Sequence, residues 1–164
     1  MRAIRVHFTE HGSELHMDEV PKPEPLPDQV LVRAAAIGVN RADLARRRSG
    51  AQGASEQPVI PGLDVAGTVE AVGSEARGWK PGDRVMALAR GAYAEFVPTR
   101  SVLAYQPPRG LSLQEAASIP CVFLTAWYAL TKVAGLRRGE TVLIHAAGSG
   151  VGIAGIQIAR ASGA

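Results

Sequence analysis

Apolar and polar positions alternate in short runs through the first hundred residues. Ala3 to Phe8, Leu15 to Val20, Val30 to Ile37, Asp64 to Val72, Arg84 to Ala87 and Ala92 to Val97 each read as a strand. Pro21, Pro23, Pro25 and Pro27 remove backbone donors and force an extended connection, while the segment Gly78 to Asp83 reads as a turn into the next strand. Short strands with this punctuation predict a barrel-like β domain up to about residue 105. One helix interrupts it near Asn40 to Arg47.

After residue 110 the period changes. Ser112 and Glu115 form a capping-box pattern that starts a short helix. Phe123, Trp127, Leu130 and Ala134 recur at helical spacing and predict a helix over 122–133, ended by Gly135. Residues 136–140 then turn into a compact apolar run, Thr141 to Ala147, which reads as a buried parallel strand with His145 packed inside it. The second half is therefore α/β. With no internal repeat to suggest another division, residues 1–120 are expected to form one domain and 121–164 the start of another. A dinucleotide-binding domain needs several βα units, and one is supplied here, so that second unit reads as incomplete.

Composition narrows the class. Charged residues are 20% and apolar residues 46% of the 164, which fits a globular chain rather than a disordered or membrane-spanning one. The apolar stretch 116–130 is broken by Ser118, Pro120, Thr125 and Trp127, so no transmembrane span is expected. The amino terminus carries charges inside its apolar run and has no signal-peptide core, and the protein reads as cytoplasmic. The lone Cys121 cannot form an internal disulfide. It lies among apolar neighbours with no basic activator in sequence and reads as inert. The net charge of +3 owes much to Arg41, Arg46, Arg47 and Arg48. That cluster reads as a solvated helix face, with attraction of a phosphate or nucleic acid as the functional alternative.

The clearest chemical signal is the turn Gly148-Ser149-Gly150-Val151-Gly152. Gly150, Gly152 and Gly155 have the G-x-G-x-x-G spacing, set between an apolar run and a helix whose expected inner face is Val151, Ala154, Ile158 and Ala161. A pyrophosphate must come close to backbone N–H groups at a helix start, and a β-carbon there would hold it away. Gly155 reads instead as a helix-packing glycine.

Several further stretches complete a pattern. Gly38-Val39-Asn40-Arg41-Ala42-Asp43, Pro61-Gly62-Leu63-Asp64-Val65-Ala66-Gly67, Gly82-Asp83-Arg84-Val85, Ala116-Ala117-Ser118-Ile119-Pro120, Leu124-Thr125-Ala126-Trp127 and the Ala147 to Gly152 turn follow one another in the order and spacing of the medium-chain dehydrogenase/reductase superfamily. The chain resembles its quinone oxidoreductase (zeta-crystallin-like) branch throughout. The resemblance implies a GroES-like β-barrel catalytic domain followed by the first βα unit of a Rossmann domain. It also implies hydride transfer from NADPH, with NADH as the alternative, to a small quinone or conjugated carbonyl. An enoyl reductase of a fatty-acid or polyketide pathway is the second implied reading, and a nucleic-acid-binding or inactive fragment the third. Asn40 and Thr125 would lie beside the nicotinamide, and Gly148, Ser149, Gly150, Val151 and Gly152 beside the pyrophosphate. Asp43 would support the helix, and a helix cap is the alternative role for Asn40. A homodimer is the usual arrangement.

Zinc-dependent relatives place Cys where Asn40 stands, His where Leu63 stands and often Cys where Cys121 stands. A catalytic zinc needs three protein ligands, and Asn and Leu replace neither thiolate nor imidazole, so no metal is expected. His7, His11, His16 and His145 have no ligand spacing. Many relatives carry a tyrosine soon after the Asn-x-x-Asp stretch, but none occurs in 44–57. No proton donor is visible, and Tyr93 and Tyr105 read as barrel packing.

Overall fold

The computed structural model describes residues 1–9, 12–50 and 58–164, excepting the side chains of 46–50. Its contacts divide the chain into two compact units, Met1–Ser118 and Ile119–Ala164.

The first unit opens with β1 (Arg2–Thr9) and β2 (Gly12–Glu19), paired antiparallel from Arg2 opposite Glu19 to Thr9 opposite Gly12. Side chains directly opposite each other share a face. His7, opposite Glu14, lies on the same face as Asp18, opposite Ala3, and its Nε2 reaches along that face to 2.7 Å from Asp18 Oδ2; the imidazole contact holds the Asp18 carboxyl below its usual range.

A five-stranded antiparallel sheet follows. It is built from β3 (Gln29–Gly38), β4 (Asp64–Val72), β5 (Arg84–Leu88), β6 (Phe96–Arg100) and the short β7 (Ala104–Tyr105), in the order β6-β3-β4-β5-β7. The sheet curls as a half-barrel. Val30, Val32, Val65, Val69, Val85 and Val97 bury one face of it and are all 0–2% exposed. β-branched side chains suit this pleated surface, and each full burial is worth roughly 2 kcal/mol. Between Ala34 and Ala36 the β3–β4 register shifts, with Gly67 opposite Ala34. A β-carbon on Gly67 would stand 2.0 Å from the Arg33 carbonyl oxygen, so the backbones meet there only because this residue has no side chain.

Two helices complete the unit. α1 (Arg41–Gly50) leaves the end of β3, and α2 (Leu113–Ala116) starts on the expected capping box. There Ser112 Oγ accepts the Glu115 N–H, and the Glu115 carboxylate accepts the Ser112 N–H. Five strands therefore lie where alternation places them. The sixth differs: the expected strand over 92–97 begins at Phe96 and runs on to Arg100 through Pro98. Proline withholds a donor, which an outer strand such as β6 tolerates, and residues 92–95 instead bond one by one to neighbouring loops and strands.

The second unit holds α3 (Pro120–Trp127), a π-helical stretch over 128–133, and α4 (Gly150–Ala161). Pro120 occupies the first turn, where its missing N–H costs nothing. Gly135 ends the run at φ 64°, as expected. Three expectations fail here. Residues 141–147 pair with no strand among the described residues, because a parallel strand draws its bonds from neighbours this unit does not supply, and Leu143 is 82% exposed. His145 is accordingly exposed rather than packed. The buried face of α4 is Gly152, Ala154, Gly155 and Ala159, while Val151 and Ala161 are exposed. Of the expected face only Ala154 is fully buried, with Ile158 half-buried, and the other fully buried positions are Gly152, Gly155 and Ala159.

Candidate functional site

Asn40 sits between the end of β3 and the start of α1, and its neighbours converge from four segments of the first unit. Its side-chain Nδ2 donates to Asp64 Oδ2 at 2.7 Å, at the head of β4. Its backbone N–H donates to Asp43 Oδ2 at 2.8 Å, and its backbone carbonyl accepts the Asp43 N–H at 3.0 Å. The same Asp43 oxygen accepts the Tyr93 hydroxyl at 2.9 Å. Asp43 is 7% exposed and Asp64 2%. Gly38 lets these pieces close up, since a β-carbon there would lie 2.7 Å from Asp64 Cβ and 2.8 Å from the Ala117 carbonyl. Gly62 does the same for the Tyr93 ring, which would lie 2.5 Å from an added β-carbon. The cap of α1 comes from Asp43 reaching back to Asn40, which leaves the Asn40 amide committed inward.

Burial and the Asp43 carboxylate push the Tyr93 phenol up to about 12 from its ordinary 10.0. The phenol is thus a donor at every ordinary pH. A raised pKa means that the folded state holds this proton longer than the unfolded chain does. The stability it contributes is complete below pH 10 and is lost as pH rises towards about 12. Urea unfolding from pH 9 upward should fall more steeply for the wild type than for Tyr93→Phe; parallel curves would show that Tyr93 carries no such linkage.

The second constellation opens α4. Ser149 is its N-cap, and its Oγ accepts the Gly152 N–H at 3.0 Å. The glycines around it divide by cause. On Gly152 a β-carbon would come within 2.5 Å of the Ala146 carbonyl, and on Gly150 within 2.9 Å of Val122 Cγ1, so packing inside the unit requires both. At Gly148 a β-carbon would meet nothing within 4 Å. On Gly155 a β-carbon would lie 3.3 Å from Ile144 Cδ1, as expected of a packing glycine. None of these glycines has a positive φ; the left-handed residue of the turn is Ala146, at 53°. Ser149→Ala should cost about 1 kcal/mol by leaving the Gly152 N–H without its acceptor. Chemical unfolding of the second unit checks this, and an unchanged midpoint would remove the cap from the account.

Residues 26–119 match the family described as alcohol dehydrogenase GroES-like domain, which is more than half of the chain. The chain belongs to that family. This GroES-like protein is 42% identical to the quinone oxidoreductase of Sus scrofa over 99% of its own length and 50% of the relative's. A crystal structure of CurK enoyl reductase superposes with TM-score 0.86 at 32% identity, covering 99% of this chain and 52% of that one. The NADPH complex of a mycobacterial protein superposes with TM-score 0.84 at 38% identity, covering 99% and 51%. These relatives belong to the medium-chain dehydrogenase/reductase superfamily, and the chain is similar to its quinone oxidoreductases and to an enoyl reductase over nearly all of its own length. The chain spans about half the length of the relatives it matches.

Of the positions singled out in the sequence of this GroES-like protein, Gly148, Ser149, Gly150, Val151 and Gly152 come together at the start of α4. Thr125 lies on α3 in the same unit and is exposed. Asn40 lies in the first unit, half-buried. Leu63 precedes Asp64 and is half-buried, as is Cys121 on α3. The side chains of Arg46, Arg47 and Arg48, part of the arginine cluster, and residues 51–57 lie outside the described residues. Sequence reasoning missed Tyr93 and Asp64 as partners of the Asn40 segment. Their signals were faint: a glycine at 62 that a ring could cover, and an acidic residue at the head of a strand whose next two positions are apolar.

Proposed function

We propose that the protein is an oxidoreductase that binds a nicotinamide cofactor, NADPH in preference to NADH, and reduces quinones or conjugated carbonyls without zinc. The observation that carries this reading is the Ser149-capped turn opening α4, in a chain of this family. A helix start leaves N–H groups without intrahelical acceptors and carries partial positive charge, which suits a diphosphate. Gly148 leaves open space on that turn, so Gly148 to Gly152 would hold the diphosphate. NADPH, when bound, supplies the hydride. Asn40 and Thr125 are assigned to its nicotinamide end by family resemblance, and residues 119–164 to the Rossmann fold on the same basis. NADPH is preferred because the mycobacterial relative was solved with it. The zinc-free part is supported by donor chemistry, since Asn40 spends an amide N–H on Asp64 and Leu63 has no donor atom at all. A cytoplasmic homodimer acting on a small-molecule acceptor, rather than on nucleic acid, completes the reading by resemblance. Among the described residues no helix is long and apolar enough to cross a membrane.

An enoyl reductase is the second reading, favoured by the likeness to CurK enoyl reductase. Loss of nicotinamide absorbance, followed with quinones and with enoyl thioesters in the presence of chelator, decides between them. Quinone turnover that survives chelation is the expected result. Turnover of the thioesters alone would move the assignment to the enoyl class, and turnover abolished by chelator would sink the zinc-free mechanism.

A further inference from the structure

We propose that Tyr93 and Asp43 are positioning residues which, with Asp64, fix the Asn40 amide so that its carbonyl Oδ1 is an acceptor for an N–H or O–H donor on the bound cofactor. This rests on the reading of Asn40 as a cofactor neighbour. The atom of the Asn40 amide that faces Asp64 is Nδ2, which donates to Asp64 Oδ2 at 2.7 Å. The oxygen therefore occupies the other branch of the amide. Asn40 is half-buried, whereas both carboxylates that hold it are almost fully buried. A helix that needed only a cap would have one in the Asn40 side chain itself, with no need to bury two carboxylates. Here the cap is delegated to Asp43, and Asp43 is in turn held by the Tyr93 hydroxyl at 2.9 Å. The Tyr93 ring lies on Gly62, two residues before Asp64. The same short segment thus carries both the ring that steadies Asp43 and the carboxylate that orients the amide.

Tyr93→Phe removes the hydroxyl and keeps the ring on Gly62, which makes it the variant of choice; Asp43→Asn, which keeps an acceptor, serves if it fails to fold. In ¹⁵N-labelled chain the Asn40 side-chain amide pair and the Asn40 and Asp43 backbone amides should shift in either variant. Exchange of the Asn40 N–H should become about tenfold faster. NADPH titration should then show weaker binding for Asn40→Ala and, to a smaller degree, for Tyr93→Phe. Unmoved Asn40 resonances in both variants overturn the inference, whatever NADPH does. Resonances that move while Asn40→Ala leaves NADPH affinity unchanged overturn the cofactor reading of Asn40, and with it the role of Oδ1.

Discussion

Gly67→Ala is expected to lower the stability of the first unit by roughly 3 kcal/mol or more, because overpacking against backbone leaves no side chain to give way. The added β-carbon would stand 2.0 Å from the Arg33 carbonyl oxygen, 2.9 Å from the Arg33 carbonyl carbon and 3.1 Å from the Ala35 nitrogen. Relief requires β3 and β4 to separate where the register already shifts between Ala34 and Ala36. Those two strands are central in the sheet, so a local separation propagates to β6 and β5 on either side. Gly78→Ala is the informative control. Its β-carbon meets nothing within 4 Å, but its φ of 83° is strained for alanine, which costs about 1–2 kcal/mol. Urea midpoints for the two variants, measured side by side, check the account. If Gly67→Ala proved the milder of the two, the close approach of the strands would be wrong.

Asp43→Ala should cost about 3 kcal/mol. The carboxylate is 7% exposed and accepts from the Asn40 N–H and from the Tyr93 hydroxyl. Its removal strands both donors, at about 1–3 kcal/mol for each unsatisfied buried group. Asp43→Asn keeps an acceptor and should lose less. The sharper check is a double-mutant cycle with Tyr93→Phe. Once the hydroxyl has gone, deleting its acceptor leaves one stranded group instead of two, so the combined loss should fall short of the sum by roughly 1 kcal/mol. Strict additivity would mean that Tyr93 and Asp43 do not act together.

Where each local preference agreed with its surroundings, the chain could be read directly. Strand β4 starts and stops where its alternation does, the Ser112–Glu115 box caps α2, and Gly135 stops the helical run at a positive φ. Each of these is set by residues within a few positions of one another. The misreadings have the opposite origin. The expected strand stopped at Val97, yet a proline can continue a strand on an outer position, and outer positions are decided by the order of the sheet. Thr141 to Ala147 has the composition of a buried strand, but burial needs partners, and composition does not supply them. The inner face of α4 was expected at Val151, Ala154, Ile158 and Ala161; Ala154 is buried and Ile158 half-buried, but close packing turned Gly152, Gly155 and Ala159 inward in place of Val151 and Ala161. In the candidate site the glycine turn was legible because its residues are contiguous. The Tyr93–Asp43–Asn40–Asp64 cluster was not, since its hydrogen bonds join residues up to 50 positions apart. At 150 and 152 the requirement for no side chain comes from Val122 and Ala146 rather than from a ligand, and of the three glycines only Gly148 borders open space.

The order of the five-stranded sheet has a consequence for how the protein behaves when concentrated. An outer strand offers unpaired backbone groups to any extended chain that drifts alongside, and sheets grow into fibrils by that route. Here one end is closed by β6, whose Pro98 breaks the run of donors. The other ends in β7, Ala104–Tyr105, too short to guide a second strand into register. A sheet finished in this way offers poor seeds for ordered aggregation, and Pro98→Val would restore a continuous row of donors to the longer of its two outer strands.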